Sequence, residues 1–159
     1  MKMRLHQAVL VLFVLFLGSC TSDSIEDIPV IEAENVLHVE QELLQIINGH
    51  RVSMNTNSLE FSEVAYKYAN THTDYMISKG TISHDNFSAR ASNISAEVAV
   101  EMVAENVAKD YDNAIEAFEG WYSSKNHRST MEGDFTHTAI SVKVNAEGNY
   151  YFTQLFYKL

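Results

Sequence analysis

The segment Trp121–Arg128 places a hydroxyl, an imidazole and a guanidinium close together in the sequence. It reads WYSSKNHR and follows residues with helical spacing. Ser124 and His127 are three residues apart, so a continuous helix would place both on one face. A serine beside a histidine can supply a nucleophile and a base, and a histidine can also bind a metal ion. This segment is therefore the first candidate for a functional site.

Two other polar segments, Ser83-His84-Asp85 and Glu105-Asn106, lie in apolar stretches. If they converge on the first segment, His84, His127 and Glu105 offer two imidazoles and a carboxylate, which suits zinc with one position open. Alternatively, Glu105 is structural, and a hydrogen bond to His84 or His127 satisfies its carboxylate. Both interpretations stay open, because the sequence has no HExxH motif and does not itself bring the residues together.

Ser124 and His127, with Glu105 orienting the base, also permit a serine-hydrolase hypothesis. However, the sequence lacks a G-x-S-x-G elbow and shows no evident oxyanion hole. A polar residue at a helix end explains Ser124 more simply, so no catalytic residue is assigned. Three further histidines receive no role: His50, His72 and His137.

Two helices are predicted in the first half of the chain. Apolar residues with helical spacing run from 36 to 52, and Asn35 is a suitable N-cap. A second helix is predicted from the N-cap Ser62 to Gly80, where a glycine can end it. One short helical turn is expected around Arg90.

The second half predicts a strand, a helix and a hairpin. Residues 102–108 form a short strand bounded by polar turns. A helix beginning at Asp112 or Asn113 should bury four side chains: Ile115, Phe118, Trp121 and Tyr122. Residues 137–145 and 150–159 alternate around a turn that contains glycine, as in an antiparallel hairpin. This order of elements predicts an α+β fold.

Residues 1–19 predict a signal peptide. Lys2 and Arg4 precede an apolar run, residues 8–17, that is too short to span a bilayer. The sequence Leu17-Gly18-Ser19-Cys20 then reads as a bacterial lipobox, in which Cys20 becomes the lipidated N-terminus. The alternative is a plain secretory signal with an incidental cysteine.

Lipidation at Cys20 would anchor the protein in a membrane. Residues 20–34 are acidic, contain the only proline and form the predicted tether, and residues 35–159 form the predicted domain. Because Cys20 is the only cysteine, the domain must fold without an internal disulfide. Thr21 replaces the aspartate that retains some lipoproteins in the inner membrane, which favours the outer membrane or the cell surface.

The chain is strongly acidic, with 11 Lys and Arg against 21 Asp and Glu and a net charge of −10. Loss of Lys2 and Arg4 with the signal leaves 9 basic residues against 21 acidic ones, a net charge of −12. This balance argues against binding to nucleic acid or to an anionic membrane surface.

Five segments in order resemble the CAP superfamily of cysteine-rich secretory, antigen 5 and pathogenesis-related proteins, and its bacterial SCP-like extracellular branch in particular. The resemblance covers about residues 36–157. Its segments are Asn48-x-x-Arg51, Ser83-His84 with Phe87 and Arg90, Glu105-Asn106-Val107-Ala108, Trp121-x-x-Ser124-x-x-His127-Arg128 and the closing strand from Tyr151.

The resemblance implies an α-β-α sandwich with a small antiparallel sheet between helices. It also implies a cleft with His84 and His127 as a histidine pair and Glu105 as one acid. Ser124 stands where eukaryotic members carry the second acid, which weakens the expectation of tight metal binding. Six other motif residues are expected to be structural: Asn48, Arg51, Arg90, Asn106, Trp121 and Arg128.

The leading hypothesis is a lipid-anchored binding module whose cleft contains His84, Glu105, Ser124 and His127. Its ligand would be a lipid or other small amphiphile, a divalent cation such as zinc, or a partner in the cell envelope. One alternative is a metal- or serine-dependent hydrolase of peptides or envelope polymers. Another is a structural or interaction protein in which the cleft is a relic.

Overall fold

The computed structural model describes residues 33–159. The predicted signal peptide, Cys20 and nearly all of the predicted tether lie outside this range. Five helices and four strands are described: α1 (Leu37–Ser53), β1 (Glu60–Phe61), α2 (Glu63–Lys79), α3 (Phe87–Glu97), β2 (Met102–Lys109), α4 (Ala114–Ser123), α5 (Lys125–Met131), β3 (His137–Val144) and β4 (Tyr150–Lys158). None of the helices between residues 33 and 159 has the length and apolar character needed to cross a bilayer.

The strands form one mixed sheet in the order β1-β3-β4-β2. β4 pairs antiparallel with β2 on one side and with β3 on the other, which agrees with the predicted antiparallel sheet, and β3 and β4 form the predicted hairpin. β1 adds a parallel edge that the sequence did not predict. It is two residues long, which is too short to show an alternating pattern.

Helices cover both faces of the sheet. Strand residues such as Ile140 and Phe156 pack with α1 and α4, and their neighbours Ala139 and Leu155 pack with α2 and α3. This division follows from the two-residue period of strand side chains. The predicted α+β fold and its α-β-α layers are therefore confirmed.

Local signals placed the ends of α2 correctly. The Ser62 hydroxyl accepts a hydrogen bond from the Ala65 amide at 3.1 Å, and Gly80 ends the helix with a φ of 67°. A side chain at that left-handed φ would be strained, so glycine suits the position.

Three details of the helices differ from prediction. Asn35 is not the N-cap of α1: that position is Val36, and the Asn35 amide instead donates to Glu40 and Asn70. α3 is a helix of 11 residues, longer than the single turn expected. In α4, Ile115 and Tyr122 are exposed, because the buried stripe consists of Ala114, Ala117 and Trp121.

Arg51 joins the end of α1 to two loops. Its side chain is fully buried. Its Nε donates to the Asn57 carbonyl at 2.9 Å, and Nη1 donates to the carbonyls of Met131 and Gly133 at 2.6 and 2.9 Å. Nη2 also donates to the Phe135 carbonyl at 3.3 Å. A planar fork is required to reach so many acceptors.

We expect Arg51→Lys to lower the free energy of unfolding by about 3 kcal/mol, because lysine leaves several buried carbonyls without a donor. Urea denaturation measures the change. The matched control is Arg128→Lys, whose hydrogen bond to Tyr122 is long and exposed, and which should cost about 0.5 kcal/mol. Equal losses in the two variants would contradict the role of Arg51.

Candidate functional site

Strand β2 lies at one edge of the sheet, and two consecutive residues of it bind opposite layers. Glu105 contacts the side of α2 and α3, where its partners include Arg90. Asn106 contacts the other side, and its amide donates to the His127 carbonyl on α5 at 3.1 Å. The alternation of a strand accounts for this division. The two candidate histidines are thereby tied to one edge from opposite faces.

The Glu105 carboxylate is buried and has a full set of partners. Arg90 donates from Nε to Oε2 and from Nη2 to Oε1, both at 2.8 Å. The Nδ1 atom of His84 lies 2.8 Å from Oε1. Because an ionised carboxylate can only accept, the Nδ1 atom of His84 is the donor, and the corresponding neutral tautomer has its lone pair on Nε2.

His84 projects from the connection between α2 and α3, and its side chain is 55% exposed. Arg90 also donates to the Asp85 carbonyl at 2.6 Å, which fixes the backbone beside His84. The exposed imidazole is therefore held at Nδ1, and no hydrogen bond from residues 33–159 reaches its Nε2.

His72 is a member of this cluster that the sequence analysis missed. It is buried on α2, its Nε2 donates to the Ser83 carbonyl at 2.7 Å, and it lies 3.8 Å from Glu105. Burial lowers the pKa of His72, although the Glu105 charge opposes this change. Its spacing with the buried residues Ala69 and Met76 was the available signal, since a polar ring on a buried helical stripe needs a partner.

α4 and α5 place His127 on the other side of the edge. The Trp121 indole donates to the Val107 carbonyl at 3.2 Å and so holds α4 against β2. The helix then breaks at Ser124, whose ψ is 117°, and α5 begins at Lys125. Burial, followed by the proximity of His84, lowers the pKa of His127.

Ser124 and His127 would share a helix face only on a continuous helix, and this condition is not met because the helix breaks at Ser124. Ser124 is the junction residue, and its side chain does not cap α5. Within residues 33–159, no hydrogen bond joins the Ser124 hydroxyl to His127. No glycine or proline occurs at the break, so the sequence did not predict it.

A shallow cavity of about 240 Å³ opens at this edge, lined by His84, Phe87, Val103, Ala104 and Glu105. The structure therefore brings His84 and Glu105 into one cavity. His127 approaches from α5 without lining the cavity, and Ser124 does not line it. In the described part of the chain, no three His, Cys, Asp or Glu side chains are grouped as a set of metal ligands.

Asn48, His50 and His137 take part in other contacts of the fold. Asn48 exchanges two hydrogen bonds with the Leu59 backbone, at 3.0 and 2.8 Å. His50 lies 3.0 Å from Glu132, and His137 stacks on Tyr157. These contacts join α1 to two loops and β3 to β4.

We expect Arg90→Met to lower the free energy of unfolding by about 3–5 kcal/mol, because it leaves a buried carboxylate without its cation. The double variant Arg90→Met/Glu105→Leu removes both charges and should recover much of that loss. Chemical denaturation of both proteins tests this. A double variant no more stable than Arg90→Met would contradict the pairing.

The lowered pKa of His72 also predicts acid sensitivity. Below its ordinary pKa of about 6.5, the unfolded state binds a proton that the folded state does not, so the free energy of unfolding should fall as the pH falls. We expect this decrease between pH 7.5 and 5.5 to be smaller in His72→Gln, whose amide can still donate to Ser83. Denaturation with a chelator present measures it, and an unchanged slope would contradict the prediction.

Comparison with solved structures shows similar folds in bacterial proteins. An outer surface protein of Borrelia burgdorferi aligns with a TM-score of 0.70 and 18% identity, over 79% of this chain and 98% of that one. An extracellular protein with an SCP domain from Bacillus anthracis str. Ames has a TM-score of 0.66 and 22% identity, over 77% and 41% of the two chains. A cysteine-rich secretory protein of Staphylococcus aureus gives 0.65 and 16%, over 82% and 40%.

At the level of sequence, the chain is 27% identical over 123 residues to the uncharacterized membrane protein YlbC of Bacillus subtilis. The match covers 75% of this chain and 34% of that protein, so the chain spans about a third of the relative's length. The sequence profile of the cysteine-rich secretory protein family matches residues 44–156. The chain therefore belongs to the CAP, or cysteine-rich secretory protein, family.

Proposed function

We propose that the protein is an exported, lipid-anchored binding module that holds a divalent cation between His84 and His127 without carrying out covalent chemistry. The lipobox ending at Cys20 supports anchoring. Similarity to proteins named as outer surface and extracellular proteins supports a place outside the cell membrane. The outer membrane or the cell surface is the proposed location.

The observation that carries the proposal is the 2.8 Å contact between His84 Nδ1 and the buried Glu105 carboxylate. A carboxylate that binds one imidazole nitrogen fixes the ring and makes the other nitrogen a better metal ligand. His84 has this arrangement, and its exposed side chain leaves Nε2 accessible.

His127 supplies the second imidazole of the proposed site. Its lowered pKa favours the neutral ring, and a neutral imidazole suits zinc and related ions. Both oxygens of Glu105 are already bound by Arg90 and His84, so the carboxylate supports the site from behind. Two protein ligands imply weak, exchangeable binding, with positions left for water or for a group of a partner molecule.

The hydrolase alternative receives less support from this geometry. A serine nucleophile needs a base within hydrogen-bond reach, and within residues 33–159 Ser124 has no such bond to His127. Glu105 cannot orient His127, since its partners are on the other face of β2. A binding role accounts for the cluster without activation of Ser124 by His127 and without orientation of His127 by Glu105.

The test is titration of the chelator-stripped full-length protein with Zn²⁺ by calorimetry. We expect binding in the micromolar range, weakened at least about tenfold by His84→Ala and by His127→Ala. The control is His38→Ala, because His38 is exposed on α1 and lies outside the cleft. Loss of affinity in His38→Ala, or none in the cleft variants, would contradict the assignment.

Lipids, small amphiphiles and glycans complete the ligand panel, with the melting temperature as the readout. If another ligand stabilises the wild-type protein but not the double variant His84→Ala/His127→Ala, that result would support a binding module whose ligand is not a divalent cation. An envelope partner retained by the double variant would instead favour an interaction protein with a relic cleft.

A further inference from the structure

A second cavity lies at the opposite edge of the sheet, where β1 ends. Its volume is about 380 Å³, which is within the range of small-molecule sites. It is larger than the cavity lined by His84 and Glu105, here called the histidine cleft. Its walls are largely apolar and include Leu37, Leu44, Phe61 and Ile140. α1, β1, β3 and the start of α2 therefore enclose a space that none of the cleft residues lines.

Glu40 is a buried carboxylate that lines this cavity and is only 7% exposed. Its Oε1 accepts hydrogen bonds from the Val142 amide at 2.8 Å and the Asn35 side chain at 2.6 Å, and its Oε2 accepts one from the Tyr66 hydroxyl at 2.9 Å. Every one of these partners is a donor, which suits an ionised carboxylate.

The Glu40 charge has no cationic partner in the described residues. No nitrogen of a Lys, Arg or His side chain between residues 33 and 159 lies within 4.0 Å of its carboxylate, whereas Glu105 is paired with Arg90. A buried charge without a counter-ion is costly. A cation that enters the cavity would therefore gain an interaction that the chain itself does not supply.

Tyr66 supplies Glu40 with a neutral hydrogen-bond donor and not with a cation. Burial, the hydrogen bond to Glu40 and the charges of Glu40 and Glu63 raise the pKa of Tyr66 to about 12. The phenol therefore remains a donor to Glu40 at any physiological pH. The net charge of the chain, −10, also favours a cationic ligand, because an acidic protein attracts cations.

The aromatic rings of Phe61 and Tyr66 meet at the cavity, with centroids 5.6 Å apart and an interplanar angle of 57°. Phe61 is 50% exposed and Leu37 is 56% exposed, so apolar surface surrounds the opening. Aromatic faces attract ammonium groups, and apolar walls favour an organic cation over a hydrated metal ion.

We propose that this cavity binds a small organic ammonium ion, with the charged nitrogen near Glu40 and the rings of Phe61 and Tyr66 and the apolar body against Leu44 and Ile140. The site is independent of the histidine cleft. Recognition depends on charge, aromatic surface and apolar volume together.

The test compares three probes that share a phenylethyl body: phenethylammonium, 2-phenylethanol and 3-phenylpropanoate. Calorimetry and NMR titration of the full-length protein should show phenethylammonium binding at least about tenfold more tightly than the alcohol, and no binding of the anion. Equal affinity for the alcohol, or no detectable binding of phenethylammonium, would overturn the proposal.

Two variants locate the site. Glu40→Gln preserves the hydrogen bonds, because its Oε1 can still accept from Val142 and Asn35 and its amide can donate to Tyr66. It should abolish the preference for the ammonium probe over the alcohol. Phe61→Ala changes an exposed residue and should weaken the binding of both phenethylammonium and 2-phenylethanol. It therefore tests the site even if Glu40→Gln does not fold. His84→Ala is the control and should change neither affinity; a preference retained in Glu40→Gln would overturn the site.

Discussion

The buried Glu105 carboxylate is the constraint on which the histidine cleft depends. Removing a carboxylate from water costs several kcal/mol unless opposite charge and hydrogen-bond donors replace the solvent (about 3–5 kcal/mol when one partner is lost). Arg90 replaces the solvent with two parallel hydrogen bonds to the carboxylate, and His84 supplies a third. Because these partners come from α3 and the segment before it, satisfying one charge also fixes the backbone that carries the exposed imidazole. His72 strengthens this arrangement by binding the carbonyl of Ser83, the residue before His84.

The pair Glu105-Asn106 explains how both faces of the sheet contribute to the proposed site. In an edge strand, consecutive side chains point to opposite layers while their backbones remain at the same margin. Asn106 holds α5 through the His127 carbonyl, as Glu105 holds the connection that contains His84. A single dipeptide thus positions two imidazoles that are distant in sequence. Its Asn106 oxygen has no partner within the described residues, so the amide contributes only its donor to this contact.

Local signals predicted the parts of the fold that depend on local physics. The cap at Ser62, the glycine after α2 and the alternation of β3 and β4 were all evident in the sequence. The break at Ser124 was not, because neither a glycine nor a proline stands there. In α3, only Arg90 and Ile94 are buried, so the apolar period was too weak to reveal a full helix. For the site, the sequence offered a hydrogen bond between Glu105 and a histidine as one interpretation, but not the choice of His84 or the presence of His72.

Glu40 shows why burial of a charge can have a structural cause and still create a binding site. β1 pairs with β3 only at His137 and Thr138, and among residues 33–159 the edge of β3 beyond them has only an isolated bridge between Asn35 and Lys143. An unpaired backbone amide in a buried edge needs an acceptor. Glu40 supplies it for Val142, while the Val36 amide donates to the Val142 carbonyl. Closing the edge with a side chain rather than a strand leaves space beside it, and that space is the larger cavity. Glu105 is neutralised by an arginine, whereas Glu40 has only neutral donors among residues 33–159. The two edges of the sheet therefore differ in electrostatic character, and a cationic guest is the ligand class that the Glu40 edge can distinguish.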